Sequence, residues 1–344
     1  MNDATRALLE GVAQGKGAET ILHLVSQPGV DLEGVGTIVF LEVVKQGHLA
    51  VVQMLAAVPS VDPASDNNCP VQRAAARGRL KVVRFLASLP GVDVTAADNY
   101  AVRLAATHGH VEVVRFLASL PGVDVAAAEN HALRLAARHG HLDVVQYLVS
   151  LPGVDATSHD NCALRYAAEQ GHLAMVRYLA SLPGVHAAGN HMRAVLYAAE
   201  NGHLEVVRFL VACVGVDTTT HDSCAVLRAA ENGHLEVVRF LLSLPGVDPC
   251  AHDNYALRQA VVNGHVDVVQ CLVSEAGVDP GAEDNHAIRW AAATGKVEMV
   301  RYLAPLPGVD ATACDNYALR AATKNGHVEV VRFLQSLPAV QPSA

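Results

Sequence analysis

A glycine returns every 31 residues along nearly the whole chain, at Gly47, Gly78, Gly109, Gly140, Gly171, Gly202, Gly233, Gly264, Gly295 and Gly326. No interval carries an insertion or a deletion. Such a fixed period is the signature of a stacked array, in which each unit leans on its neighbours instead of closing a core of its own. One clean copy occupies residues 129–155, ENHALRLAARHGHLDVVQYLVSLPGVD. Leu133, Ala136 and Ala137 form one apolar stripe, and Leu142, Val144, Val145, Tyr147 and Leu148 form a second, both at helical spacing. Gly140 supplies the left-handed turn between them, and Pro152 and Gly153 end the second helix. Each unit is therefore two short helices. Helices of two or three turns are not stable alone in water, so stacking must hold them.

The first unit, residues 1–31, is degenerate but in phase. Leu8, Leu9, Val12 and Ala13 match the first helix, and Lys16 replaces the turn glycine. Internal units fill residues 32–314, and the last unit and tail fill 315–344. We expect a single array of eleven units, although 344 residues would otherwise suggest two or three domains.

Hydrophobic residues make up 51% of the chain and aromatic ones only 4%, so the apolar mass is Ala, Val and Leu, suited to thin, closely stacked layers. Lys plus Arg number 25 against 34 Asp plus Glu, a net charge of −9. That balance argues against nucleic acid or an anionic membrane as the partner, since both need a basic face. Seven Cys with no CxxC spacing give no disulfide or zinc framework, and a reducing compartment follows as the default. The N-terminal MNDATRALLEGVAQGKG lacks the pattern of a signal peptide, and no apolar run reaches the length of a membrane span. The expectation is a soluble, cytoplasmic, monomeric protein.

These residues resemble the ankyrin repeat. The family's T-P-L-H, paired Ala, G-H and V-x-x-L-L pattern is matched by Tyr255-Ala256-Leu257-Arg258, Ala260-Val261, Gly264-His265 and residues 268–272. The resemblance implies an all-α, ankyrin-type solenoid of stacked antiparallel helix pairs. It also implies partners lying across the fingers and first helices, on the concave side. The period departs from the family's usual 33. Residues are lost where the family builds its projecting β-hairpin, so shortened, irregular fingers with little or no strand are expected, as at residues 156–161. The motif's Thr-Pro is gone, and Arg replaces its His in most units.

No catalytic, cofactor-binding or metal-binding residues are expected. Eight of the 18 His occupy the turn position (His48, His110, His141, His172, His203, His234, His265 and His327), which the resemblance makes structural. His108-Gly109-His110 and His139-Gly140-His141 are HxH pairs without further convergent ligands. Residues 11–17, GVAQGKG, fall short of a phosphate loop and follow a helix pattern. Cys69, Cys162 and Cys224 share one column as small fillers. Second-helix pairs such as Glu236/Arg239 and Glu329/Arg332 mark a solvated outer face.

Two columns are unusual. An acid precedes the first helix at Asp98, Glu129, Asp160, Asp253, Asp284 and Asp315, and five residues later come Arg103, Arg134, Arg165, Arg258, Arg289 and Arg320. The acids are either helix N-caps with exposed Arg beside them, or partners of a structural ladder in which each Arg bridges acids of its own and an adjacent unit. The unit 186–216 loses both members (His191, Leu196) and carries Met192 where most units have Asn. The next loses Pro at Val214. Together these mark an expected weak interface.

A long exposed surface with variable residues in a fixed frame points to non-catalytic protein or peptide recognition, as a scaffold or adaptor. The alternatives are a substrate-recruiting arm of a separate enzyme and a structural spacer. The candidate contact residues are Tyr100, His131, Tyr255, His286 and Tyr317 at the start of the first helix, with Trp290 farther along it, and His108, Arg138, His139, Glu169, Glu200 and Glu231 just before the turn glycine. The latter column runs from basic (Lys45, Arg77, Arg138) to acidic, which would orient a partner of opposite polarity.

Overall fold

The computed structural model describes residues 2–185, 191–214 and 224–338. Among the described residues there are 22 helices and no strand, as the shortened fingers led us to expect. Long and short helices alternate, as in Ala127–Arg138 followed by Leu142–Val149. The chain divides into two compact bodies, Met1–Ala167 with Tyr178–Ala188, and Ala168–Arg177 with Gly189–Ala344. No described helix is long and apolar enough to cross a membrane.

The buried positions repeat with the sequence. Leu133, Ala136 and Ala137 of the first helix and Val144, Val145 and Leu148 of the second are all at most 1% exposed. The paired Ala let backbones of adjacent repeats approach, and each buried Leu or Val contributes on the order of 1.5–3 kcal/mol.

Tyr147 departs from the stripe. It is half-buried, and the Arg115 guanidinium of the preceding repeat lies 4.4 Å from its ring centroid. The same stack joins Arg84 to Phe116, Arg177 to Phe209, Arg208 to Phe240 and Arg301 to Phe333, at 4.6, 5.2, 4.7 and 5.2 Å. Second-helix Arg residues therefore do more than pair with the Glu one turn earlier. Those pairs are exposed and range from 3.1 Å for Glu329/Arg332 to 4.0 Å for Glu112/Arg115.

The turn glycine answers two constraints at once. Gly109 has φ +76°, which disfavours any side chain, and an added Cβ would stand 2.5 Å from Nδ1 of His141 in the next repeat. His141 comes this close because it donates its Nε2–H to the Thr107 carbonyl at 3.0 Å. His110, His203, His234, His265 and His327 bond in the same way, each to a carbonyl 34 residues back. Where Arg79 replaces the His, its Nε donates to the Lys45 carbonyl at 2.9 Å instead.

Fingers are built without a hairpin. Asp155 closes a turn by accepting the Thr157 N–H at 2.8 Å, and its own N–H is bonded to Oδ1 of the buried Asn130 at 3.0 Å. The same bond joins Asn68 to Asp93, Asn99 to Asp124 and Asn285 to Asp310. At these four places neighbouring fingers are thus tied by an Asn side chain. The expected weak repeat cannot be followed throughout: 186–190 and 215–223, with Asp222, lie outside the described residues, as do the side chains of His191, Val214 and Cys224.

Gly109→Ala should cost about 2–4 kcal/mol, strain plus overpacking, against about 1 kcal/mol for Gly153→Ala, which has φ +83° and nothing within 4 Å. Adding His141→Ala to Gly109→Ala should cost less than the sum of the two single changes. Chemical denaturation of the four variants measures this; equal costs at the two glycines would show that the His contact is not felt.

Candidate functional site

The fingers set how each first helix begins. In seven repeats the three residues before its regular part have positive φ: residues 128–130, for example, lie at 52°, 59° and 60°. Consecutive left-handed residues other than Gly cost about 1–2 kcal/mol each. They also turn a carbonyl away from the helix, and the Arg column meets it. Arg103, Arg134, Arg165, Arg258, Arg289 and Arg320 donate from Nη2 to the carbonyls of Ala97, Ala128, His159, His252, Glu283 and Cys314, at 2.9–3.3 Å. Where Gln72 stands in the column, it donates to the Asn67 carbonyl at 2.8 Å.

This differs from both expectations for the acids. The six Arg make no ion pair with them, so the column is not an acid-bridged ladder. Nor do the carboxylates of Asp98, Glu129, Asp253, Asp284 and Asp315 accept a backbone N–H; they lie inside the helical spans, past the entry residues Thr95, Ala126, Cys250, Gly281 and Thr312, which themselves give no side-chain cap. The acids sit exposed within the left-handed turn; Glu129 pairs across to His159 of the next finger.

On the first helices, positions four residues apart share a face. By the 31-residue period Tyr100 and Tyr317 are equivalent positions of their own first helices, and Tyr197 and Trp290 are equivalent positions four residues on. These four are 39–44% exposed and include most of the large exposed apolar side chains among the described residues. Tyr197 escaped the sequence reading, although its equivalence to Trp290 by the 31-residue period was available.

The other candidates are described body by body. In the first body, Tyr100 lies under Arg103 at 5.1 Å, and Arg138 covers Tyr166 at 5.3 Å. His131 is half-buried, and its Nδ1 accepts from Arg103 Nη1 at 3.0 Å. Because Arg can only donate, that imidazole is held neutral. Burial first, then Arg103 and Arg134, push it below its ordinary value. His108 and His139 are exposed and stack on the turn residues His110 and His141, each at 6.3 Å.

In the second body, His286 lies 5.5 Å from the Trp290 ring, and Tyr317 lies under Arg289 at 5.5 Å. Burial, then Arg258 and Arg289, lower the His286 pKa. Tyr255 is half-buried under Arg258 at 5.6 Å. Glu169, Glu200 and Glu231 are half-buried at the far end of their helices; Glu231 pairs with Arg228 at 2.9 Å. His286, Trp290, Arg289 and Tyr317 are brought together as one patch.

Among the described residues no group of three or more His, Cys, Asp or Glu is placed to hold a metal ion. Residues 11–17 join the helices Asp3–Ala13 and Ala18–Val25, with Gly15 at φ +67°. They connect one helix to the next instead of a strand to a helix, so they form no phosphate loop.

Models of ankyrin repeats match residues 102–188, 133–222, 164–253, 197–284 and 257–342 (three copies each), and residues 71–118 (many copies). The chain belongs to the ankyrin-repeat family. No curated protein matches it. Ankyrin repeats generally mediate protein–protein interactions, which gives the exposed first-helix face its context. In this ankyrin array the family's projecting hairpin is replaced by the Asx turn, the left-handed segment and the Arg clamp.

Arg258→Ala should lower stability by about 1–2 kcal/mol by stranding the His252 carbonyl, while Asp253→Asn should stay within about 0.5 kcal/mol. Denaturation midpoints decide: an Asp253→Asn loss equal to that of Arg258→Ala would restore the acid-bridged ladder.

Proposed function

We propose that this ankyrin array is a non-catalytic scaffold or adaptor that binds a protein or peptide on the face of its first helices and fingers. The observation that carries the reading is the placement of Tyr100, Tyr197, Trp290 and Tyr317. Large rings on a solvated surface cost solubility, yet in the second body Tyr197, Trp290 and Tyr317 all stand on the first helices, and Tyr100 stands at the equivalent place in the first body. Tyr and Trp are the side chains enriched at binding hot spots. Arg guanidinium groups against Tyr100, Tyr255 and Tyr317 hold those rings in place, which reduces the entropy lost on binding. Glu169, Glu200 and Glu231 favour a partner segment carrying basic residues, bound more weakly as salt rises.

The test is affinity purification from the native host, followed by calorimetry of the recovered partner against single variants. Trp290→Ala and Tyr317→Ala should each weaken binding by about tenfold or more, with stability changed by less than about 0.5 kcal/mol. Unchanged affinity in both, or loss only alongside unfolding, would move the binding face elsewhere. A co-purifying enzyme would favour the recruiting arm, and the absence of any stoichiometric partner would favour a spacer.

A further inference from the structure

On the second helices of the second body there is one place where the repeat pattern loses a ring. The column Phe85, Phe116, Tyr147, Tyr178, Phe209, Phe240, Tyr302 and Phe333 is interrupted once in this run, by Cys271. Every other described Arg one repeat earlier that faces this column stacks on its ring, at 4.4–5.2 Å. Arg239 is the Arg that would stack at position 271. Two more changes follow in the same repeat: Ser274-Glu275-Ala276-Gly277 stands where most others read Ser-Leu-Pro-Gly.

Those three changes leave a pocket of about 360 Å³ lined by Arg239, Leu242, Ser243, Pro249, Cys271, Glu275 and Ala276. That volume falls at the lower end of the roughly 300–1,000 Å³ usual for ligand sites. Its floor is Cys271, 2% exposed, whose thiol is pushed up by burial and so stays neutral. Arg239 is fixed by its edges. Nε and Nη2 donate to Glu275 Oε1 at 3.2 and 2.9 Å, and Nη1 donates to Glu236 Oε1 at 3.3 Å. The bond from Arg239 holds the Glu275 carboxyl below its ordinary range, so the pair is charged at neutral pH. A guanidinium held by three of its five in-plane donors still offers its flat face to a ring.

We propose that this pocket receives the aromatic side chain, Tyr or Phe, of a partner segment, which takes the place of the missing intramolecular ring against Arg239, Leu242, Pro249 and Ala276. The occupant is identified by what the rest of the column holds: the same Arg position, one repeat on, covers a Phe or Tyr ring. This position is separate from the first-helix face and does not depend on it.

The test uses the full-length protein and two probes, N-acetyl-tyrosinamide and N-acetyl-leucinamide, followed by amide chemical shifts. The wild type and Cys271→Ala should show saturable shifts at residues 242–243 and 271–276 with the tyrosine probe. Binding of the leucine probe should be about tenfold weaker. Cys271→Phe restores the column's own ring, so it should keep its fold, checked by an unchanged or raised melting temperature, and lose the shifts. No shifts in the wild type, equal binding of the leucine probe, or shifts persisting in folded Cys271→Phe would each overturn the proposal.

Discussion

The bond from each turn His to the carbonyl of the preceding repeat is the constraint on which the rest of each body depends. Eight-residue helices have too little surface of their own to stay folded, so the spacing between repeats must be set by something shorter-ranged than apolar contact. A directed hydrogen bond of about 3.0 Å does this. It draws the imidazole onto the preceding turn, where only a residue without Cβ leaves room. The unbroken 31-residue interval follows: an inserted residue between the His and the stop would rotate Val144, Val145 and Leu148 away from the repeats on either side.

A second consequence appears at the fingers. A β-hairpin satisfies its own backbone and projects away from the stack. A shortened finger cannot form one, and the chain reverses through three left-handed residues instead. The groups left over are met individually, the carbonyl by Arg134 or its equivalents, and the next finger's N–H by Asn130 or its equivalents. Replacing the motif's His by Arg is then intelligible, because a guanidinium reaches a carbonyl six residues back that an imidazole would not. The same Arg lies over Tyr100, Tyr255 or Tyr317, so finger geometry and the presentation of the exposed rings are one arrangement.

Period, helix pairs, turn glycines and the missing hairpin were all legible in the sequence, because each is a property of one repeat read along the chain. What was not legible is contact between repeats. The Arg column was recognised from its spacing, but its acceptor is a backbone carbonyl, which no pattern of side chains reveals. The Asn column was visible only through its loss at Met192. Arg115 looked like half of a surface ion pair until Tyr147, 32 residues on, was placed beneath it. Tyr197 was overlooked for a different reason: most of its column is ordinary, with Leu104, Leu135 and Ala321, and the aromatic members stand out only once exposure is known. The partner is not encoded in any repeat-wide pattern, since recognition rests on departures from the repeat.

The central claim, that neutral turn imidazoles hold the stack through Nε2–H, is tested most directly by melting temperature against pH, with the His signals followed by NMR. His110 and His203 are both held below the ordinary value of 6.5, by burial above all; the bonded carbonyls of Ala76 and Glu169 oppose this, and neighbouring cationic groups add to it. A depressed folded pKa means that the unfolded chain binds more protons, so stability is complete above about 6.5 and is lost as pH falls through the folded value. The account predicts His110 and His203 with Nε2 protonated at neutral pH, titrating below 6.5, and a melting temperature that drops as pH is lowered from about 7.5 to about 5.5. His110 and His203 titrating at or above 6.5, with a melting temperature that holds or rises over the same interval, would contradict it.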